Sequence, residues 1–301
     1  MSRSRIAVYL GAIIFLAAIV GYWYLSAFSR TQAKDAFDGT RAWDNVRTQV
    51  DMGPRIPGSS GHGEILSWMR SELEAAGWQV TVQQTTSMGH PIQNLIASRS
   101  TQPAAILVGA HYDTRIYASR DPDPAKREQP VPGADDGASG VAVLLELART
   151  LPNDTVPISL VFFDAEDNGD IPGWDWLLGS RAYVASMTDK PKAMILVDMV
   201  GADPLNLPME ANSDPALRSS IWQMAAHLGH NGAFVPQVKY SVEDDHTPFL
   251  QVGVPAVDII DLDYPYWHTT SDTPDHVSAG SLQIVGDVLW NWLAEQKAQG
   301  K

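Results

Sequence analysis

Cysteine is missing from all 301 residues, which removes disulfides, thiolate metal sites and cysteine nucleophiles together. Basic residues are scarce: 21 Lys and Arg stand against 35 Asp and Glu, giving a net charge of −14. Phosphate binding needs clustered Lys and Arg, and no such block occurs, which argues against a nucleic-acid partner. The acidic excess is spread along the chain and reads as a solvated surface. No internal repeat is present. A serine-hydrolase elbow is missing too, because Val141 stands where Gly-x-Ser-x-Gly would need its second glycine around Ser139.

One long hydrophobic run does occur. Ile6 to Ser29 carries no charged side chain, and about 20 apolar residues span a bilayer. Tyr22, Trp23 and Tyr24 suit the interface, and Arg3 and Arg5 favour an inside N-terminus. Residues 1–29 are therefore expected to form a transmembrane anchor, with a secretory signal as the alternative. Residues 30–40 then form a polar tether. Residues 41–301 form one catalytic domain outside the cytoplasm, on a periplasmic or extracellular face.

Within that domain apolar runs alternate with helical patterns. Ile65, Leu66, Met69, Leu73 and Ala76 recur at helical spacing before Gly77, and Gln79–Thr85 alternates as a strand with Asn94–Ser98 as its partner. Helices are expected over 138–150, around 180–186, from Asp214-Pro215 to Gly229, and over 278–297, with a further strand at 255–260. Arg115 to Pro132, rich in Pro and charge, reads as a surface loop forming a rim. The expected fold class is α/β: a single domain with a mostly parallel central sheet covered by helices on both faces.

Three apolar runs end in metal-type ligands: Ala105-Ile-Leu-Val-Gly-Ala-His111, Ile158-Ser-Leu-Val-Phe-Phe-Asp-Ala-Glu166-Asp167 and Met194-Ile-Leu-Val-Asp198. In an open α/β sheet the crevice beyond the carboxyl ends of the strands gathers ligands. With Asp136 in Gly133-Ala-Asp-Asp136 and His268 in Trp267-His-Thr269, the set holds two imidazoles and three carboxylates. Nitrogen and oxygen donors in that mixture suit zinc or a similar divalent ion, and the spare Glu166 suits a general base. Asp113, two residues after His111, is placed to orient that imidazole. His62, His90, His227, His230, His246 and His276 show no ligand spacing and read as surface or capping residues.

These motifs, with Leu178-Gly-Ser-Arg181, Val197-Asp-Met-Val-Gly-Ala202 and Asp244-Asp-His-Thr-Pro-Phe-Leu250, resemble the zinc-dependent aminopeptidase (M28-type) superfamily and, within it, the glutaminyl-peptide cyclotransferases. The resemblance covers nearly all of the chain after the anchor. It implies a zinc-aminopeptidase-like fold and a peptide or protein N-terminus as substrate. It further implies that Asp136, Asp167 and His268 hold one zinc, that Glu166 is the catalytic acid/base, and that Asp244 and Asp198 form the acidic network beside it. Trp267 and Tyr264 fall where aromatic residues line the pocket, with Trp174 as a further wall. Two positions depart from the animal enzymes: Asp167 replaces a glutamate and Asp258 a histidine. The alternative is an aminopeptidase with two ions, the second held by His111 and Asp198 with Asp136 bridging. A binding module that has lost catalysis would show eroded ligands, and none is eroded.

Overall fold

The computed structural model describes residues 36–297. The anchor expected over residues 1–29 lies outside them, as do residues 30–35 of the expected tether; no helix among the described residues is long and apolar enough to cross a membrane. Phe37 is buried against Gly286, and the Asp38 carboxylate accepts the Thr40 and Arg41 N–H groups as the N-cap of α1 (Gly39–Asp51). The folded body therefore begins inside the stretch read as tether.

Helix α2 (Ser60–Ala75), capped by Ser59, leads into the hairpin β1 (Gln79–Ser87) and β2 (His90–Ser98). Its two-residue turn, Met88-Gly89, takes positive φ at both positions, as tight hairpin turns require. Then follow β3 (Ile106–His111), α3 (Ala138–Thr150), β4 (Ile158–Phe163), α4 (Leu178–Ser186) and β5 (Ala193–Asp198). The chain ends with β6 (Leu207–Glu210), α5 (Pro215–His227), β7 (Phe234–Tyr240), α6 (Thr247–Gln251), β8 (Ala256–Ile260) and α7 (Ala279–Glu295).

The main sheet has the order β1-β2-β4-β3-β5-β8. β4, β3, β5 and β8 run parallel, while β1 pairs antiparallel with β2 and β2 with β4. The sheet is thus mixed: four adjacent strands run parallel, and the β1–β2 hairpin adds two antiparallel pairings at one edge. Alternate strand residues feed two cores. Val108, Leu160 and Ile195 pack towards α1, α2, α3 and α7, whereas Leu107, Val161 and Met194 pack towards α4 and α6. Helix α3 is buried at every position except Arg149, which accounts for its apolar run Val141–Leu145. The parallel pair β6–β7 stands as a separate small sheet; its strands are short or proline-interrupted and carry little periodic signal.

From β3 the chain moves to β4 on one side, and from β4 it passes back across β3 to β5 on the other. That switch opens a crevice at the carboxyl ends of these strands.

Candidate active site

His111 is the last residue of β3 and Asp198 the last of β5; Glu166 and Asp167 follow β4, Asp136 precedes α3, and His268 lies between β8 and α7. All six are buried in one place. His111 Nε2 is 3.0 Å from Asp136 Oδ1 and 3.1 Å from Asp198 Oδ1. His268 Nε2 is 2.8 Å from Asp167 Oδ1 and 3.7 Å from Asp136 Oδ2. Two triads result, His111–Asp136–Asp198 and Asp136–Asp167–His268, each with its ligand atoms within 4.8 Å of one another. Asp136 belongs to both, one oxygen facing each imidazole.

The residues fit a divalent cation. Asp136 Oδ2 and Asp167 Oδ2 are buried without a hydrogen-bond partner, a costly condition that a cation relieves. Mixed nitrogen and oxygen donors suit zinc, and a three-residue triad leaves a coordination position open. Burial pushes the Asp167 carboxyl up to about 8, and the neighbouring Asp113 and Asp198 charges add to it while Arg115 opposes. Burial, then the Asp167 charge, raises Asp136. Burial holds the His268 imidazole at about 3, so it stays neutral and able to ligate. Burial also lowers His111, but Asp198, Asp113 and Asp136 together lift it well above its ordinary value. A bound cation reverses the carboxylate shifts, because it favours the charged form.

Backbone geometry fixes these side chains tightly. Ala165, Met199 and His268 are non-glycine residues with φ of 52°, 44° and 57°, each at or next to a site residue. Such conformations persist only where the surroundings enforce them. Gly137 packs directly under the His111 imidazole, where any Cβ would collide with the ring. Asp113 accepts hydrogen bonds from the Glu166 N–H (3.0 Å), the Asp167 N–H (3.4 Å) and Asn168 Nδ2 (3.2 Å). Its oxygen lies 3.5 Å from His111 Nδ1, and that nitrogen has no hydrogen-bond partner. Asp113 therefore holds the Glu166–Asp167 segment while standing beside the His111 imidazole.

A cavity of about 270 Å³ opens beside the triads, lined by Glu166, Asp198, Asp244, Trp176, Trp267 and Leu262 among others. Trp267 lines it as expected; Tyr264 and Trp174 do not. The Tyr264 hydroxyl donates to Asp272 Oδ1 at 2.8 Å, and the Asp272 carboxylate in turn accepts the Asp135 and Asp136 N–H groups at 2.8 and 3.2 Å. Tyr264 thus supports Asp135 and Asp136 from behind, through Asp272. Trp174 stacks on His90 at 3.6 Å, away from the cavity. The wall comes from Trp176, two residues later, whose ring lies nearly parallel to His268 at 6.2 Å. Gly169 makes this possible, since a Cβ there would run into the Trp176 indole.

Glu166 carries no metal-type contact and faces the cavity. Burial raises it well above the usual carboxylate range; His111 opposes this, while Asp244, Asp167 and Asp245 reinforce it. Asp244 is itself pushed up to about 6, by burial and then by Asp198. Behind it Asp258 is fully buried, with neither oxygen hydrogen-bonded and its carboxyl raised by burial and by Asp244. Two histidines read as surface or capping residues are in fact buried. His62 Nε2 is 2.7 Å from Asp164 Oδ1, and His246 lies 3.5 Å from Glu210 and 3.9 Å from Asp258. The loop after β3 is exposed at Tyr117, at 119–120 and over 122–130, but Arg115, Ala118, Asp121 and Val131 are buried.

A helix-covered mixed sheet carrying buried His and Asp ligands at its strand ends, with a free glutamate beside them, defines an α/β metalloenzyme of the zinc-peptidase type. The description of Peptidase family M28 matches residues 94–293, and the chain belongs to that family. It is similar to the glutaminyl cyclase of Porphyromonas gingivalis (35% identity, TM-score 0.81, 87% of this chain and 99% of that one). It is also similar to a Zn-dependent exopeptidase from Parabacteroides distasonis (30% identity, TM-score 0.81, 87% and 99%). Among curated sequences, the glutaminyl-peptide cyclotransferase of Boiga dendrophila is 27% identical over 90% of this chain and 85% of its own length.

Proposed function

We propose that this chain is a zinc-dependent glutaminyl-peptide cyclotransferase, converting the N-terminal glutamine of peptides or proteins to pyroglutamate with release of ammonia. Its likeness to bacterial glutaminyl cyclases and to curated cyclotransferases supports the reaction. The observation that carries it in the site is the position of Glu166. Its carboxyl is buried, lines a cavity walled by Trp176 and Trp267, and stands beside the Asp136–Asp167–His268 triad without being part of it.

Asp136, Asp167 and His268 would hold one zinc ion. Bound there, zinc supplies Lewis-acid polarisation of the side-chain amide carbonyl and offsets the negative charge that develops on it. Glu166 takes a proton from the substrate α-amine as its nitrogen bonds to the amide carbon. It then delivers that proton to the nitrogen leaving as ammonia. A carboxyl with a raised pKa suits both halves of this transfer. Asp244 and Asp198 keep negative charge near Glu166. Trp176 and Trp267 confine a single flexible side chain, so amine and amide meet within one residue. A cavity of about 270 Å³ is smaller than the roughly 300–1,000 Å³ of drug-sized ligand sites, which favours a one-residue occupant.

The second reading is a two-metal aminopeptidase, favoured by the intact His111–Asp136–Asp198 triad. We further infer, from the uncharged run Ile6 to Ser29 alone, a membrane-anchored enzyme acting outside the cytoplasm. Incubation of the protein with a Gln-initiated peptide separates the reactions. Cyclisation removes about 17 mass units, one ammonia, whereas release of free glutamine would establish the peptidase.

A further inference from the structure

Arg115 is 4% exposed, and its guanidinium stands between Asp167 and the Trp176 wall of the cavity. Its Nη1 donates to the Asp167 carbonyl oxygen at 2.7 Å and its Nη2 to the Gly169 carbonyl oxygen at 3.1 Å. Nε donates to Ser119 Oγ at 3.1 Å. The same plane lies over the Trp176 ring at 5.0 Å, and Nη1 is 3.8 Å from Asp167 Oδ1. One rigid fork thus touches the backbone and carboxylate of Asp167, the turn that admits Trp176, and Trp176 itself.

We propose that Arg115 is a positioning residue that sets the Asp167 ligand and the Trp176 wall as a single unit, so that metal grip and substrate fit depend on the same guanidinium. This rests on the reading of Asp167 as a metal ligand. The planar geometry matters more than the charge. Lysine would keep the positive charge but cannot reach two carbonyls, a hydroxyl and an indole face together. Groups that orient metal ligands from behind are worth about 10- to 100-fold in metal affinity. Cation–π contact adds to the wall.

The test is Arg115→Lys in the full chain, measured by zinc competition with a chromogenic chelator and by steady-state kinetics. Zinc affinity is expected to fall by about 10- to 100-fold, with KM for a Gln-initiated peptide rising more than kcat falls. The zinc competition needs no turnover, so it reports on Arg115 whichever reaction the site performs. A folded Arg115→Lys protein whose zinc affinity and KM stay within about twofold of wild type would overturn the proposal. Should that variant not fold, Ser119→Ala frees only Nε. It is expected to shift both quantities in the same direction by about two- to fivefold, the scale of one hydrogen bond; no shift in either would overturn the proposal equally.

Discussion

Asp113 accepts the main-chain N–H of Glu166 at 3.0 Å, tying down the backbone of a residue that lines the cavity. The same carboxylate holds the N–H of Asp167 and the Asn168 amide, so the proposed proton carrier and the proposed ligand beside it hang from one buried acceptor. Asp113→Asn would turn a donor towards these N–H groups and leave at least one unpaired. A misplacement of about 1 Å at a catalytic group can cost around 100-fold. Turnover is therefore expected to fall by roughly 10- to 100-fold, with the fold retained. Measured kcat within about twofold of wild type would remove this role.

Asp244 bears on the pH dependence. Burial chiefly raises Glu166, and the Asp244 charge raises it further. Glu166 must be a carboxylate to accept the amine proton, so kcat/KM falls as pH drops through its pKa. Removing a neighbouring negative charge lowers that pKa. In Asp244→Asn the acid limb of the kcat/KM profile is expected to move to lower pH. An unmoved limb, or one displaced upwards, would separate Asp244 from Glu166.

Metal-free protein should lose stability as pH rises from about 6.5 to 8. Burial sets Asp167 at about 8 and Asp272 at about 7, both far above their ordinary 3.8. A carboxyl raised in the folded state favours folding below its unfolded pKa, and that contribution is gone once pH passes the folded value. His111, also raised, has the same sign in this window. His268, lowered to about 3, acts oppositely but only below the ordinary histidine value near 6.5. Urea midpoints of the metal-free protein are thus expected to fall between pH 6.5 and 8, and less steeply with saturating zinc, which favours ionised Asp167. A midpoint that rises over this window would contradict the assignment.

The candidate ligands were legible in the sequence because buried parallel strands read as unbroken apolar runs. A polar residue closing such a run, as His111 or Asp198 does, stands out at the crevice. Asp136 gained meaning from the strongly apolar helix that follows it. The hairpin strands were legible from their alternation, but the edge direction depended on a two-residue turn, and the small β6–β7 sheet gave little pattern. Trp174 and Trp176 stand two residues apart in one loop, and the direction of a loop side chain is set by tertiary contacts such as the close approach of Trp176 to Gly169, which the sequence does not display. Tyr264 lies in the right loop but faces Asp272. His62 and His246 were read as peripheral because their partners Asp164, Glu210 and Asp258 are remote in sequence. Arg115 hid inside a stretch whose composition suggested only solvent exposure.

The separation of cation holding from proton transfer is tested most directly by counting zinc per chain, by elemental analysis, in Glu166→Gln and His268→Ala. Glu166→Gln is expected to keep the wild-type stoichiometry, its turnover falling by about 100- to 10,000-fold, while His268→Ala loses the ion. Zinc retained in His268→Ala, or lost from Glu166→Gln, would contradict the division of labour between these two side chains.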